Sequence, residues 1–346
     1  MPKEVYLSGL FPQEISELLG YEKRWRADQI YSWIVKARPD FSSMSNLPAC
    51  EREDLRLRFG DLRSSRIASE LEDPDGSLKL QIRLRDGSAV ECVLLEDIEG
   101  RKTACLSSQV GCPMGCTFCR TSQLGFLRDL GPDEIMEQFY FLKEKRGFVS
   151  NVVFMGMGEP MLNLPAVRKA IALLSDPKGI GMSLRKITIS TSGVVPGILD
   201  LAASGPKVRL AVSLTVADPE LRSAMMPVNR RWNLAVLKEA LLAYQEATGE
   251  RITVEAVIIG NKNAGKEHAK ILADWVRPLK AQVNIIPWNQ VPGTDNTAPS
   301  AAQISAFVDT LEAQDITVVK RMSRGRGVMG ACGQLGDTLK LGNPST

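Results

Sequence analysis

The sequence predicts a mixed α/β protein: a partial (β/α)6 barrel with a small helical N-terminal domain and a β extension. Three observations predict it. From about residue 100 onward, short apolar runs alternate with amphipathic stretches, the rhythm of repeated β/α units. Between residues 64 and 98, Asp75-Gly76 and Asp86-Gly87 separate strand-like runs such as Leu78-Lys79-Leu80-Gln81-Ile82-Arg83-Leu84, the pattern of hairpins. Before residue 60 the periodicity is helical.

The chain has 346 residues, room for one large domain and a smaller one. Charged residues make up 24% and hydrophobic residues 44%, ordinary for a globular chain. A net charge of +3 demands no nucleic-acid partner unless the basic residues cluster. The seven cysteines are Cys50, Cys92, Cys105, Cys112, Cys116, Cys119 and Cys332. An odd number in a long chain, with no apolar leader after Met1-Pro2-Lys3-Glu4-Val5, favours a reducing cytoplasm and functional thiols. No apolar run approaches the length of a membrane span.

The elements follow in order. Pro12 opens a helix over residues 12–19, and a second follows over 24–34. There Trp25, Tyr31 and Trp33 interleave with Arg24, Arg26 and Lys36. Such a mixture can grip RNA by stacking and charge, although Trp33 reads better as a core aromatic. A strand at 103–108 runs into a cysteine-rich loop. A helix at 132–145 comes next, then strands at 151–155, 186–190, 208–213, 252–259, 282–287 and 316–321. Helices at 234–247, 266–276 and 300–313 lie between the later strands. About six units give an open parallel barrel with right-handed crossovers, whose ligands sit at the C-terminal strand ends. From Arg321 on, the basic, Gly-rich stretch Arg321-Met322-Ser323-Arg324-Gly325-Arg326-Gly327 reads as a flexible loop leading to Cys332.

The loop after the first barrel strand carries the chemistry. Gly111-Cys112-Pro113-Met114-Gly115-Cys116-Thr117-Phe118-Cys119-Arg120 places three thiols within eight residues, separated by three and then two residues. Gly111, Pro113 and Gly115 favour a tight loop over three unrelated buried cysteines. A structural zinc site would lack a fourth ligand, since the only histidine is the distant His268. Three thiolates instead suit a cubane iron–sulfur cluster with one open iron. Gly156-Met157-Gly158-Glu159-Pro160, Ser190-Thr191-Ser192-Gly193, Ser213-Leu214-Thr215 and Ile285-Ile286-Pro287-Trp288-Asn289 close later strands with polar groups at the same sheet end. Cys105 and Cys332 are each either a fourth cluster ligand or a catalytic thiol.

The cysteine spacing resembles the radical S-adenosylmethionine (SAM) superfamily. Together with Cys105-Leu106-Ser107-Ser108-Gln109-Val110-Gly111-Cys112, Pro287-Trp288-Asn289 and Ala331-Cys332-Gly333-Gln334-Leu335, the chain resembles the RlmN/Cfr family of radical-SAM RNA adenine methyltransferases. The resemblance covers essentially the whole chain. It implies one 4Fe–4S cluster held by Cys112, Cys116 and Cys119, and SAM contacted by Gly158, Glu159, Ser190, Ser213, Leu214, Thr215 and Asn289. It implies two SAM molecules per turnover. One methylates Cys332; the other yields a 5′-deoxyadenosyl radical that takes hydrogen from that methyl group. The resulting carbon adds to adenine. Glu91 then accepts the ring proton and Cys105 resolves the protein–RNA crosslink, leaving a Cys105–Cys332 disulfide for reduction.

The resemblance further implies carbon-2 methylation of an adenosine in 23S rRNA, at the peptidyl transferase centre, and in the tRNA anticodon loop. An electron donor such as flavodoxin or ferredoxin, a monomeric state and no membrane association complete the expectation. The expected divisions are a helical RNA-binding domain at 1–62, a β linker at 63–100, the barrel at 101–321 and a Cys332-bearing tail at 322–346. Thr215 stands where the family usually has His, and Val328-Met329 where it usually has Asp-Ile. Without the resemblance, Glu91 reads as an exposed strand residue. Cys50 and Cys92 read as bystanders. Carbon-8 methylation is the alternative within the family, though Ser192-Gly193 resembles the carbon-2 branch. A radical-SAM enzyme acting on protein or small molecules would not need the Cys105/Cys332 pair.

Overall fold

The computed structural model describes residues 6–37, 40–321 and 324–336. Pro12 starts α1 (Pro12–Leu19), where its missing N–H costs nothing, and Glu14 reaches back to accept the Phe11 N–H. α2 (Trp25–Val35) and α3 (Ala49–Phe59) follow. Ile15, Ile30, Ile34 and Leu55 bury in the same hydrophobic cluster as the strands, so the helical region shares the main core. Tyr31 is buried and its hydroxyl donates to Asp176 at 2.8 Å, whereas Trp25 is exposed with the Arg26 guanidinium 4.2 Å above its ring. Trp33 is partly buried against the core, as expected.

β1 (Arg66–Glu72), β2 (Leu78–Arg83) and β3 (Ala89–Glu96) form an antiparallel extension. Its turns are fixed by Asp75 and Asp86, whose carboxylates accept the Ser77 and Ser88 N–H groups. β3 pairs antiparallel with β4 (Lys102–Cys105), which begins the parallel part. β5 (Gln109–Gly111) and β6 (Phe126–Asp129) form a separate hairpin around the cysteine loop and α4 (Arg120–Gln123). The sequence reading carried the first barrel strand to 108; it ends at Cys105 instead. A hairpin of such short strands carries no readable periodicity.

The β/α series continues with α5 (Pro132–Arg146), β7 (Asn151–Phe154), α6 (Leu164–Ser175), β8 (Ile187–Thr191), α7 (Val195–Ser204) and β9 (Arg209–Ser213). Next come α8 (Pro219–Met225), α9 (Val228–Arg231), α10 (Leu234–Thr248) and β10 (Ile252–Ile258). α11 (Lys266–Val276), β11 (Ala281–Pro287), α12 (Ala301–Glu312) and β12 (Val318–Lys320) complete it. The main sheet runs β1-β2-β3-β4-β7-β8-β9-β10-β11-β12, parallel from β4 onward, with β1 and β12 as its edges. This is the expected partial barrel. No helix among the described residues is long and apolar enough to cross a membrane.

Glu137 on α5 ties the N-terminal region to the barrel. Fully buried, it accepts the Ser8 hydroxyl at 2.7 Å, the Ser64 N–H at 2.8 Å and the Ser65 N–H at 2.9 Å. The C-terminal loop is also fastened, contrary to its expected flexibility. Gly325 N–H donates to Asp75 at 2.8 Å, Gly327 N–H to Asp73 at 2.6 Å, and the Gln334 amide to the Gln290 carbonyl at 2.9 Å. Backbone N–H groups given to carboxylates are strong bonds, which glycine-rich composition alone does not reveal. Of the tail expected at 322–346, residues 322–323 and 337–346 lie outside the described residues.

Candidate active site

The cysteine loop is shaped by backbone constraints. Gly111 has φ +76, and a Cβ there would collide with the Gly125 carbonyl oxygen. Cys112 N–H donates to that same oxygen at 2.8 Å, closing the loop base, and Cys119 N–H turns back to the Cys116 carbonyl. Thr117 N–H bonds the Met225 carbonyl and the Trp288 indole bonds the Phe118 carbonyl, anchoring the loop between α8 and the end of β11.

Cys112, Cys116 and Cys119 line one cleft of about 890 Å³ at the C-terminal ends of the strands. Burial pushes the Cys112 thiol up to about 12, with Glu159 and Cys119 adding to the shift. Cys116 is also raised, by burial first and then by its two neighbouring thiols. A cationic iron centre relieves both effects, because thiolates that repel one another become ligands. Among the described residues, no group of His, Cys, Asp or Glu already converges at metal-binding distance. The donor set, three soft sulfurs and no imidazole, fits iron–sulfur ligation.

Opposite the thiols, Gly158, Glu159, Ser190, Ser213 and Asn289 line the same cleft. Gly158 has φ +101 and lies so close to Gln109 that a Cβ would meet its side chain at 2.6 Å. Buried Glu159 accepts both the N–H and the hydroxyl of Ser192 at 2.8 Å, and burial raises its carboxyl above the usual range. Ser190 and Ser213 donate to one oxygen of Glu255 at 3.0 and 3.2 Å. Leu214 and Thr215 stand behind this wall. The Leu214 carbonyl accepts from the buried Arg222, and Thr215, at φ +60, donates its N–H to the Glu255 carbonyl. The buried Thr215 hydroxyl has no hydrogen-bond partner among the described residues.

Cys332 belongs to two clefts. It lines the wall of the three-cysteine cleft and also an adjoining cleft of about 1450 Å³ with Cys105, Arg321 and Lys320. Asn289 holds it there, donating to the Cys332 carbonyl at 3.1 Å while accepting from Arg326 at 2.9 Å. Cys105 is buried; burial first, then the neighbouring Cys332, pushes its thiol up to about 12, with Arg321 opposing. Glu91 is buried rather than exposed, correcting the reading from strand pattern alone. One carboxylate oxygen accepts the Gly336 N–H at 2.7 Å and the other lies 3.4 Å from the Lys79 ammonium. Cys50 is exposed and Cys92 buried.

Sequence reasoning missed Glu255, Arg222, Arg321 and Lys79. Glu255 had a signal, a carboxylate inside the apolar run Ile252-Thr253-Val254-Glu255-Ala256-Val257-Ile258. Lys79, between Leu78 and Leu80, looked like an ordinary outward strand position. Arg222 had no signal on its short helix.

An open parallel barrel with three cysteines on the loop beyond its first strand defines a radical SAM protein. Residues 106–275 match the Radical SAM superfamily model. The chain is 46% identical to the "Probable dual-specificity RNA methyltransferase RlmN" of Treponema pallidum (strain Nichols), over 96% of this chain and 97% of the relative. It is 38% identical to the "Dual-specificity RNA methyltransferase RlmN" of Lawsonia intracellularis, over 94% of each. The crystal structure of a radical SAM methyltransferase from Sphaerobacter thermophilus superposes with TM-score 0.92 at 36% identity, covering 96% of this chain and 99% of that one. The chain therefore belongs to the RlmN family of the radical SAM superfamily. That membership brings a 4Fe–4S cluster and SAM.

Proposed function

We propose that the chain is a SAM-dependent RNA methyltransferase that modifies carbon 2 of an adenosine in 23S rRNA and in tRNA. The position of Cys332 in both clefts is the observation that carries this reading: one sulfur can face a cofactor on one side and a substrate on the other. The 4Fe–4S cluster, held by Cys112, Cys116 and Cys119, together with SAM, two molecules per turnover, supplies the methyl group and hydrogen abstraction. Glu159 and Gly158 seat the amino-acid end of SAM, with Ser190, Ser213 and Asn289 around the rest and Leu214 and Thr215 supporting that wall from behind.

Cys332 accepts the methyl group on sulfur and carries its carbon to adenine. Glu91 takes the proton lost from carbon 2, while the unpaired electron of the adduct would return to the oxidised 4Fe–4S centre, leaving a closed-shell thioether between Cys332 and the base. The Cys105 thiol then gives up its proton and its sulfur attacks the Cys332 sulfur; the carbon–sulfur bond to Cys332 breaks, its electron pair stays on the transferred carbon and takes up a proton to complete the methyl group, and a Cys105–Cys332 disulfide forms. A flavodoxin- or ferredoxin-type donor supplies the radical electron, and a reductant returns two electrons to the disulfide. The elevated thiol of Cys105 suits a late nucleophile that stays protonated until the crosslink forms.

Residues 1–62 act as an accessory RNA-binding domain, supported by the exposed Trp25–Arg26 stack. Residues 63–100 link it to the barrel at 101–321, and the tail at 322–346 carries Cys332. The enzyme works as a cytoplasmic monomer. Mass spectrometry of RNA from cells lacking the protein tests the reading: 2-methyladenosine should vanish from 23S rRNA and tRNA. Unchanged RNA, or loss of 8-methyladenosine instead, overturns it.

A further inference from the structure

Lys79 on β2 is 4% exposed, although its neighbours Leu78 and Leu80 already supply the core face of that strand. Lysine is almost never this buried unless paired, because an ammonium removed from water loses its solvation. The register explains which groups it meets. Lys79 stands opposite Val93, Gln81 opposite Glu91, and Val93 opposite Cys105, so period-two alternation puts Lys79, Glu91 and Cys105 on one face. The Lys79 ammonium lies 3.4 Å from one Glu91 oxygen and donates to the Met329 carbonyl, also at 3.4 Å. The other Glu91 oxygen accepts the Gly336 N–H at 2.7 Å. Met329 precedes Cys332 by three residues and Gly336 follows it by four. The Cys332 loop is thus held on both sides of its thiol by one buried ion pair.

We propose that Lys79 is a positioning residue for this site: its ammonium keeps Glu91 a carboxylate and fastens the Cys332 loop to it. The role for Glu91 and Cys332 rests on the proposed function. A buried carboxylate without a cation nearby favours its protonated form and cannot accept a proton. With Lys79 beside it, Glu91 enters the reaction ionised. Once Glu91 has accepted a proton, its hold on both Lys79 and Gly336 weakens, and the loop is freed at the stage when the crosslink must open. Three further groups beside Glu91 carry no positive charge. Gln81 opposite it is neutral, the Gly336 contact is a backbone dipole, and the adjacent Cys92 thiol is held protonated by burial, Cys105 and Glu91.

The test uses the full-length holoenzyme, prepared without oxygen. Infrared difference titration of RNA-free protein follows the protonated-carboxyl band of Glu91, assigned by its absence in Glu91→Gln. In Lys79→Met the midpoint of this band should rise by about one pH unit or more. Lys79→Arg should keep the wild-type midpoint. Lys79→Gln retains a donor for the Met329 carbonyl but no charge, and should shift upward like Met. A midpoint left unmoved by Met and by Gln overturns the proposal, whatever happens to turnover. In a Cys105→Ala background with RNA, Lys79→Met should also slow adduct formation about ten-fold near neutral pH, with recovery as pH rises. Slowing that is the same at every pH marks a merely structural lysine and overturns the proposal. A shifted infrared midpoint with no RNA adduct in Cys105→Ala sustains the Lys79–Glu91 coupling while refuting the assigned reaction.

Discussion

At the scale of single residues, the proposed mechanism gives Cys105 and Cys332 different tasks. Cys332→Ala should abolish RNA methylation while leaving the iron–sulfur absorbance of the anaerobic protein intact. Loss of that absorbance would make Cys332 a cluster ligand instead. Cys105→Ala should accumulate a covalent protein–RNA adduct, visible as a slow band on denaturing gels; normal turnover with free methylated RNA would refute its resolving role. Glu159 is buried and satisfied by Ser192 and Met161 even without a ligand, so its geometry is set in advance. Glu159→Ala should weaken SAM binding by about ten-fold or more, measured by calorimetry, through loss of a charge-assisted bond.

At the scale of elements, two of the carboxylates on α5 differ in the donors around them. Glu137 is surrounded by donors from Ser8, Ser64 and Ser65, so Glu137→Leu leaves several polar groups unpaired. It should cost about 2–5 kcal/mol in urea unfolding and open the segment near residue 64 to protease. Asp133, nearby on the same helix, has no such cluster. Desolvation, with the Glu137 and Glu134 carboxylates beside it, raises its carboxyl from 3.8 to about 7. A raised acid binds more protons folded than unfolded, so its ionisation destabilises the fold. Stability attributable to Asp133 should fall as pH rises from about 4 to about 7, and Asp133→Asn should remove that slope. Urea titrations across this range check the sign; a parallel loss of stability in both proteins would contradict it.

At the scale of the whole molecule, the β extension and the barrel act as one support. The ten-strand sheet continues from the parallel strands into β3, β2 and β1, and the C-terminal loop returns to lie on that extension. Asp73, Asp75, Lys79 and Glu91 all receive or hold that loop, which ties a hairpin near the start of the chain to a thiol near its end. Double replacement Asp73→Ala/Asp75→Ala should loosen the loop without touching the cluster cysteines. Its expected signature is faster iodoacetamide labelling of Cys332, read by peptide mass spectrometry, with unchanged iron–sulfur absorbance. Equal labelling rates would show that the hairpin does not restrain it.

Periodicity and turn chemistry alone determined the helical start, the hairpins at Asp75-Gly76 and Asp86-Gly87, and the β/α series, because these signals are local. The spacing of Cys112, Cys116 and Cys119 likewise suggested cluster ligation from a local signal, and the structure brings all three to one cleft. The resemblance, not the spacing, suggested roles for Cys105, Cys332 and Glu91. Tertiary structure decided the rest. It ended the first barrel strand at Cys105, buried Glu91, and fastened Gly325, Gly327 and Gln334 in a glycine-rich loop that looked flexible. It also brought Cys332 to the boundary of two clefts. Each depends on pairing between residues far apart in the chain, and long-range contacts leave no pattern in the segments that make them. The lysine between Leu78 and Leu80 is the sharpest case: in sequence it is an ordinary polar strand position, and only the loop folding back over it makes it part of the site.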